Sequence, residues 1–294
     1  METKPLPNHH AQFQRVLEYI DLHLDEDLSL ELLSEVAATS KFHFHRQFSA
    51  FFGLSLHRYI KLLRFKRAAY RLAYRPNDSI LNIALDSGYE SPEAFARAFK
   101  ERTSQTPSAF RQQPDWNWWD QAQSEIHRLR NQFMTTDFQP DQVRIIDFPA
   151  TQVAVLEHHG DPRQLGETIR RFIAWRKSEG LSPKVSATFN ILHNDPENVA
   201  PEEYRLDLCV TTSRAITPNE YRIKSGQIEG GRCAVLRLQG SSDNLRPAVS
   251  FLYSDWLPNS GEELRDFPVF VQRVSFFPDV LEHEAITDIF LPLR

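Results

Sequence analysis

Cysteine is scarce in this 294-residue sequence, which contains only Cys209 and Cys233. Neither residue belongs to a Cys-x-x-Cys pair, so the sequence carries neither a disulfide framework nor a cysteine-based zinc site. Two isolated cysteines are typical of buried, reduced thiols, which we expect here on strands. Reduced thiols in turn favour a cytoplasmic location.

Long apolar runs are also absent, and no run of the sequence is long enough to cross a bilayer. The first ten residues lack the apolar stretch of a secretory signal. We therefore expect no association with a membrane. No motif calls for a cofactor, and no metal site is expected, because His43 and His45 lie two residues apart on a predicted helix and diverge.

The net charge of −5 would by itself argue against a nucleic-acid-binding protein, but the charge is unevenly distributed along the chain. Residues 38–113 carry 13 basic and 5 acidic side chains, and the segments on either side are acidic. A basic block between two acidic segments is typical of a local phosphate-binding face.

Two helix-turn-helix patterns lie within this basic block. The first spans residues 30–48 and its second helix begins at Ser40, while the second spans residues 80–99 and its second helix begins at Ser91. Arg46 and Arg97 occupy the same place in each pattern. A single pattern is a modest signal, but two with matched arginines indicate a chain that grips two stretches of DNA.

Each second helix has one polar face for base edges and one aromatic face to bury. The outward residues are Phe42, His45, Arg46 and Ser49 in the first helix and Glu93, Ala96, Arg97 and Lys100 in the second. The inward residues are Phe44, Phe48 and Phe51 in the first helix and Phe95 and Phe99 in the second. The arginines can donate two hydrogen bonds to guanine, or they can bind phosphate without reading sequence.

A long basic helix is predicted over residues 57–74, between the two patterns. Its 18 residues would span about 27 Å, near the roughly 34 Å between successive major grooves on one face of DNA. One chain could thus reach two adjacent grooves without dimerising, and any shortfall would require the DNA to bend.

Residues 10–111 resemble the AraC/XylS-type DNA-binding domain. The resemblance rests on Ser40–Phe48, the sequence Arg-Phe-Lys-Arg-Ala from Arg64, Ile80–Gly88 and Thr106–Arg111. It implies DNA contacts by Lys41, Phe42, His45, Arg46, Ser91, Pro92, Glu93, Ala96 and Arg97. Phe42 would contact a thymine methyl group, and Glu93 would either accept a hydrogen bond from cytosine or cap its helix. The resemblance also implies double-stranded DNA and RNA polymerase as partners.

The rest of the chain contains an internal repeat. Residues 154–160 match residues 234–240, and Trp175 and Trp256 follow at equivalent places. Each half reads as strand, strand, helix, strand, strand. The predicted fold is therefore multidomain α and α+β, with an all-α N-terminal domain and a C-terminal α+β domain of two pseudo-symmetric ββαββ halves. A ligand cleft would lie along the pseudo-twofold axis.

Residues 142–294 resemble the GyrI-like small-molecule-binding domain, which follows the same DNA-binding domain in Rob-type regulators. The resemblance rests mainly on Ala234–Gly240, Trp256–Gly261, Asp266–Phe270 and Thr287–Pro292. Where the family often has a ligand-binding glutamate, this chain has Val271. The ligand would then be neutral, or the domain would bind another protein. Possible cleft residues, for each of which core packing is the alternative, are Trp175, Phe189, Tyr204, Trp256, Phe270 and Gln272.

We thus expect a DNA-binding transcriptional regulator at residues 8–112, a linker at residues 113–141 and a GyrI-like domain at residues 142–294. The last would sense a small hydrophobic or aromatic effector. Three tryptophans of the linker would anchor it onto one of the domains, or would stack on bases. We expect no enzyme, because no carboxylate, histidine or cysteine set has catalytic spacing. The alternative is a hydrolase of reactive small molecules, since some GyrI-like proteins have that activity.

Overall fold

The computed structural model describes residues 9–116, 118, 138–277 and 279–294. The chain separates into two units, Met1–Thr135 and Thr136–Arg294. Among the described residues, no helix is both long enough and apolar enough to span a membrane. The predicted helix-turn-helix patterns lie in the first unit, and the predicted repeat lies in the second.

Serine and threonine caps define the helices of the first unit. Its described helices are α1 (His9–Leu22), α2 (Leu30–Val36), α3 (Lys41–Phe52), α4 (Leu56–Tyr74), α5 (Ile80–Asp86), α6 (Pro92–Thr103) and α7 (Pro107–Gln112). Before each of α2 to α7 a hydroxyl accepts a backbone N–H from the first turn, and the residues are Ser29, Ser40, Ser55, Ser79, Ser91 and Thr106.

Two aromatic clusters form the core of this unit, and α4 contributes to both. The first cluster contains residues of α1, α2, α3 and the N-terminal half of α4, among them Phe13, Phe44 and Phe48. The second joins the C-terminal half of α4 to α5, α6 and α7, through Phe95 and Phe110 among others. The long helix is therefore the common support of two helix-turn-helix motifs that each have a core of their own.

The inward face of α3 differs from the prediction at one position. Phe51 was expected to be buried, but it is 39% exposed, and Phe52 is buried in its place at 1%. The reason is the helical period, because Phe44, Phe48 and Phe52 follow one another at intervals of four residues. Phe51 lies at the edge of this stripe and contacts the ring of Phe13 edge-on, with centroids 5.1 Å apart.

Two tryptophans of the predicted linker pack on the first unit. The ring of Trp116 lies 5.2 Å from Phe110 and 5.5 Å from Tyr70, and Trp118 lies 5.2 Å from Phe65. The anchoring role expected for these tryptophans is thus confirmed for these two rings. Trp119 and residues 120–137 of the linker lie outside the described residues.

The second unit contains one eight-stranded antiparallel sheet. Its strands are β1 (Arg144–Phe148), β2 (Thr151–His159), β3 (Thr188–Leu192), β4 (Arg205–Thr211), β5 (Lys224–Ile228), β6 (Gly231–Gln239), β7 (Phe270–Ser275) and β8 (Ile286–Pro292). Helix α8 (Leu165–Ser178) follows β2. After β6 come α9 (Leu245–Phe251), a π-helical turn (Leu252–Trp256) and α10 (Leu257–Ser260). The predicted ββαββ order of each half is confirmed.

The two halves exchange their first strands. The strand order is β1-β6-β8-β7-β3-β4-β2-β5, so that β1 pairs with β6 of the other half and β5 pairs with β2. The β1–β2 and β5–β6 connections consequently touch, since a side-chain Cβ at Gly230 would lie 2.6 Å from the backbone nitrogen of Ala150. Glycine is required here because the two backbones approach so closely.

A pseudo-twofold axis passes through the centre of the sheet, where Asn190 of β3 lies directly opposite Val271 of β7. These two residues are 81 positions apart, as are Trp175 and Trp256. Alternating side chains point to opposite faces of each strand. One face packs against the helices in two separate aliphatic clusters, and the other carries a single cluster that includes Phe189 and four further phenylalanines.

Candidate nucleic-acid interface and ligand-binding residues

The polar face of α3 is open to solvent. The Ser40 hydroxyl accepts the His43 N–H at 3.4 Å and starts the helix. Phe42 is 74% exposed, although apolar side chains of this size are usually buried, and the Lys41 ammonium lies 5.7 Å from its ring centroid. Arg46 is exposed and has no hydrogen bond or ion pair with any described residue. This face thus presents an aromatic ring and an unpaired cation side by side.

Helix α6 repeats this arrangement. The Ser91 hydroxyl accepts the Ala94 N–H at 3.2 Å, and Pro92 occupies the first turn. Arg97 lies six residues past its cap, as Arg46 lies six past Ser40, and it too is exposed without a partner among the described residues. The cap and the exposed arginine of α6 therefore correspond to those of α3 at the same spacing.

The remaining predicted contacts of the two helices divide by exposure. His45, Glu93 and Lys100 are exposed, whereas Ala96 is half-buried beside the buried Phe95. Because Ser91 already caps α6, the carboxylate of Glu93 is not needed for that purpose, and it has no hydrogen bond within the described part of the chain. A carboxylate near a helix N-terminus is nevertheless stabilised by the helix dipole.

The basic block contributes less free charge than its composition suggests. Three arginines of α4, namely Arg64, Arg67 and Arg71, donate to carbonyls or carboxylates of the first unit itself. Arg111 likewise donates to the carbonyl of Asp78 at 2.7 Å. The sequence pattern predicts a phosphate-binding face that includes these side chains. In the structure their hydrogen bonds join helices of the first unit to one another. Sequence reasoning missed this role because the acceptors are mostly backbone carbonyls, which leave no pattern in the sequence.

The six predicted ligand residues do not form one cluster in the second unit. Trp175 and Trp256 lie on the helix-covered face, in different aliphatic clusters. Phe189 and Phe270 lie on the opposite face, with ring centroids 6.3 Å apart. Tyr204 is buried but belongs to none of these clusters. Which face of the sheet the helices cover depends on contacts between distant segments, so spacing along the chain could not reveal this division.

Two of the six residues have informative surroundings. Tyr204 lies 5.9 Å from the ring of His158, and burial raises the pKa of its hydroxyl to about 12. Gln272 is half-buried and lies directly opposite Phe189 in the sheet. A cavity of about 360 Å³ is lined by none of the six predicted ligand residues. It adjoins the C-terminal end of β2, beyond Val155, where the pairing of β2 with β5 stops. Its lining comprises Leu156, Glu157, His158, His159, Gln164, Glu167, Thr168, Arg171 and Arg222.

Val271 lies at the pseudo-twofold axis and is fully buried among aliphatic side chains. Asn190, which lies opposite, is buried as well, and its side-chain oxygen accepts from Arg273 Nε at 3.1 Å. Arg176 is buried nearby on the same face and donates to the Thr188 hydroxyl at 2.7 Å. Burial lowers the pKa of Arg176 to about 10. The centre of this face thus combines apolar and cationic groups.

Carboxylates occur instead on the opposite face, in paired form. Both oxygens of Asp288 accept hydrogen bonds from Arg237, each at 2.7 Å. Asp207, 81 residues earlier, accepts from His193 at 2.7 Å and from Arg205 at 3.0 Å. Burial opposes ionisation of Asp207, but these donors hold its pKa below the ordinary value. The carboxylates on this face are therefore already paired with cationic side chains of the protein.

The adjacent histidines of β2 and the two cysteines differ in their surroundings. His158 is buried beside the Thr168 hydroxyl at 2.9 Å, and burial lowers its pKa, whereas His159 points to the other face, as expected. The predicted burial of both cysteines on strands is confirmed, since Cys209 and Cys233 are free and buried. Across the described ranges, no three histidine, cysteine or acidic side chains converge on a possible metal position.

Comparison with known proteins identifies both units. Residues 141–294 match the family model of the GyrI-like small molecule binding domain, and residues 33–113 match a helix-turn-helix domain. The probable transcriptional regulator YgiV of Escherichia coli (strain K12) is 40% identical over 152 residues, which are 51% of this chain and 95% of that protein.

Two further matches cover both units. The right origin-binding protein of Escherichia coli (strain K12) is 25% identical over 252 residues, or 83% of each chain. Among solved structures, the EcmrR–DNA complex in EcmrR-RPo, determined by cryo-electron microscopy, matches at 13% identity and a TM-score of 0.44. The match covers 89% of this chain and 84% of that one. The chain belongs to the GyrI-like small molecule binding domain family, carries an AraC-type helix-turn-helix domain before it, and is a DNA-binding transcriptional regulator.

Proposed function

We propose that α3 and α6 enter two adjacent major-groove segments of one DNA duplex and read its sequence. The observation that carries this proposal is the matched pair Arg46 and Arg97, each exposed, each without a partner among the described residues, and each six positions past a serine cap. A guanidinium group that is not engaged within the protein is available for two parallel hydrogen bonds to guanine.

The length of α4 supports a site of about two helical turns. Its 19 residues span roughly 28 Å, somewhat less than the roughly 34 Å that separates successive major-groove segments on one face. We infer that the duplex bends toward the protein to close the difference, so that sequence-dependent deformability adds to the readout. The site is asymmetric, because Phe42 in α3 corresponds to Glu93 in α6.

The remaining predicted contacts take roles that follow from their chemistry. Phe42 supplies an apolar surface for a thymine methyl, and Glu93 accepts from a cytosine amine. His45, Ala96 and the helix starts at Lys41 and Ser91–Pro92 approach the backbone or the base edges. Binding to DNA would remove the apolar surface of the exposed Phe42 ring from water, which is favourable. This supports an interface at this position.

The test is the affinity of single variants for a genomic fragment selected by the wild-type protein. Arg46→Ala and Arg97→Ala should each lose roughly 1–3 kcal/mol of specific binding, or about 5- to 150-fold in Kd. Arg15→Ala, an exposed arginine of α1, is the matched control and should change little. Unchanged affinity in both interface variants would exclude the assignment.

A second measurement separates base reading from phosphate binding. If the arginines read bases, each variant should lose affinity for the selected fragment while its affinity for random duplex stays constant. If they bind phosphate, both affinities should fall together and the salt dependence should become shallower. Either result keeps the interface but assigns a different role to the pair.

We further propose that the GyrI-like domain senses a small neutral, hydrophobic or aromatic ligand. Its support is the family itself, together with Val271, which is buried where a cationic ligand would need a carboxylate. Thermal shift of the full chain against neutral aromatic compounds and hydrophobic cations tests this. Neutral compounds should raise the melting temperature more than cations. No shift from any compound would favour a protein-contact role, and turnover of a reactive compound would favour the hydrolase alternative.

The regulator class also makes RNA polymerase the expected protein partner. We also propose domain boundaries that place the DNA-binding domain at residues 8–112, the linker at residues 113–141 and the GyrI-like domain at residues 142–294. Limited proteolysis of the free chain, with mass spectrometry of the fragments, should cut first within residues 113–141. A first cut inside α4 or inside the sheet would require other boundaries.

A further inference from the structure

Three arginines of α4 lie on one side of the helix. Arg64, Arg67 and Arg71 are separated by three and four residues, which is the spacing of neighbours on a helical surface. Arg67 is only 7% exposed, which is unusual for an arginine without a structural role. Each of the three has its guanidinium bound within the first unit.

Arg64 joins α4 to the α1–α2 connection, which leads into the first helix-turn-helix motif, and it abuts the second motif. Its Nε donates to the carbonyl of Leu24 at 3.0 Å, and its Nη2 donates to the carbonyl of Glu26 at 2.6 Å. These carbonyls belong to the connection between α1 and α2. Its Nη1 lies so close to Gly88, in the turn of the second motif, that a Cβ there would be 2.7 Å away.

Arg67 makes the same kind of link one turn further along α4. Its Nη1 forms an ion pair with Asp25, in the same α1–α2 connection. Its Nη2 donates to the carbonyl of Asp86 at 2.8 Å, at the C-terminal end of α5. Arg71 then reaches the carboxylate of Asp86 at 2.5 Å. Arg67 thus holds both the connection that leads into the first motif and the end of α5 in the second motif.

We propose that Arg64 and Arg67 are positioning residues, which fix the placement of one recognition helix relative to the other and thereby set the half-site spacing that the protein accepts. This inference rests on the proposed reading of two adjacent grooves. The two motifs have separate aromatic cores, which meet along α4 and at the half-buried ring of Trp118, which packs against both. Packing against one shared helix and one shared ring leaves rotation about that helix weakly restrained.

Guanidinium groups suit this task because they are planar and donate in fixed directions. A guanidinium held between the Asp25 carboxylate, before the first motif, and the Asp86 carbonyl of the second motif restrains both distance and angle. Binding of α3 to its half-site then delivers α6 at a high effective concentration to the other half-site. If the arginines are removed, we expect each motif to keep its own fold, but the effective concentration of α6 at the second half-site should decrease.

The first experiment measures the distance between the recognition helices without DNA. Nitroxide labels on Ala50→Cys and Glu101→Cys, both exposed, report it by pulsed electron spin resonance. Cys209 and Cys233 are buried, and burial raises their thiol pKa, so they should not take the label.

One narrow distance is expected in the parent protein. Arg64→Met and Arg67→Met should give a broader or shifted distribution, whereas Lys61→Met, an exposed lysine of the same helix without a partner among the described residues, should not. Arg67→Lys retains a charge for Asp25 but lacks the fork, and it should remain folded and still broaden the distribution. An unchanged distribution in all the arginine variants overturns the proposal.

The second experiment measures DNA binding to the selected genomic fragment and to two duplexes in which one half-site is replaced by random sequence. The arginine variants should bind each single half-site within about twofold of wild type, but the gain from the second half-site should fall by about tenfold or more. Equal gain in variant and wild type overturns the proposal. If wild type itself gains nothing from the second half-site, the two-groove function fails, and the label distances still decide the role of the arginines.

Discussion

Exchanging alanine and glycine between the turns of the two helix-turn-helix motifs tests how strain is distributed between them. Ala38 lies two residues past the end of α2, and Gly88 lies two residues past the end of α5. Both have left-handed backbones, with φ of 49° at Ala38 and 80° at Gly88. An L-residue pays about 1–2 kcal/mol for this conformation, and glycine pays almost nothing.

The magnitudes follow from this difference and from the neighbours. Ala38→Gly relieves about 1 kcal/mol of strain but loses about 0.5 kcal/mol to the greater freedom of the unfolded chain. The net effect should be a stabilisation of about 0.5 kcal/mol. The reverse change, Gly88→Ala, introduces the strain of about 1 kcal/mol and gains about 0.5 kcal/mol, because alanine reduces the freedom of the unfolded chain. These two contributions leave a net destabilisation of about 0.5 kcal/mol.

Gly88→Ala has an additional cost that Ala38 does not face. Its new Cβ would lie 2.7 Å from Nη1 of Arg64, so the guanidinium must move. That movement weakens two hydrogen bonds to the carbonyls of Leu24 and Glu26, each worth about 1 kcal/mol. We therefore expect Gly88→Ala to destabilise the first unit by about 2–3 kcal/mol.

Urea unfolding followed by far-ultraviolet circular dichroism checks these values, because helices of the first unit dominate the signal at 222 nm. The double variant Arg64→Met with Gly88→Ala is the control. Once Arg64 is gone, the glycine change should cost only the backbone strain less the entropic gain, about 0.5 kcal/mol. A cost for Gly88→Ala of about 0.5 kcal/mol or less, or a cost that Arg64→Met leaves unchanged, refutes the reasoning.

Three further outcomes are expected. Burial holds the pKa of His158 below its ordinary value, so the unfolded chain takes up the proton first and stability should fall as the pH falls below about 6.5. His158→Gln should flatten that dependence in urea midpoints measured between about pH 5 and 7.5, and His159→Gln should not. Asp288→Asn should cost about 1–2 kcal/mol in the same assay, because it disrupts the two-point pair with Arg237. Specific DNA affinity should fall at least tenfold between about 50 and 200 mM salt in fluorescence anisotropy, and a flat profile would exclude phosphate contacts.

The helices of the first unit could be predicted almost to the residue, because their determinants are local. A capping serine and a stripe of phenylalanines lie within a few positions of one another along the chain. The predicted start of the long helix at His57 differs from the observed start at Leu56 by one residue. The error at Phe51 arose at the edge of a stripe, where the helical period does not decide between neighbouring positions.

The pairing of strands could not be predicted in the same way. The repeat identified ββαββ halves, but nothing local says that β1 pairs with β6 rather than with β2. That choice depends on the close approach of the β1–β2 and β5–β6 connections at Gly230, a contact between distant segments. The role of Arg64 and Arg67 was hidden for a related reason, since their acceptors at Leu24 and Asp86 are carbonyls that any residue supplies.

The repeat preserves backbone geometry while its side chains have diverged, and this has a consequence for recognition. Asp207 and Asp288 are equivalent, yet the first is held by His193 and Arg205 and the second by Arg237. At the axis itself a polar Asn190 lies opposite an apolar Val271. If the proposed ligand binds at the axis, it meets different chemistry from each half, so an asymmetric molecule with one apolar side and one hydrogen-bonding side should fit better than a symmetric one. Because the halves exchange β1 and β5, we expect such a ligand to stabilise the second unit as a whole.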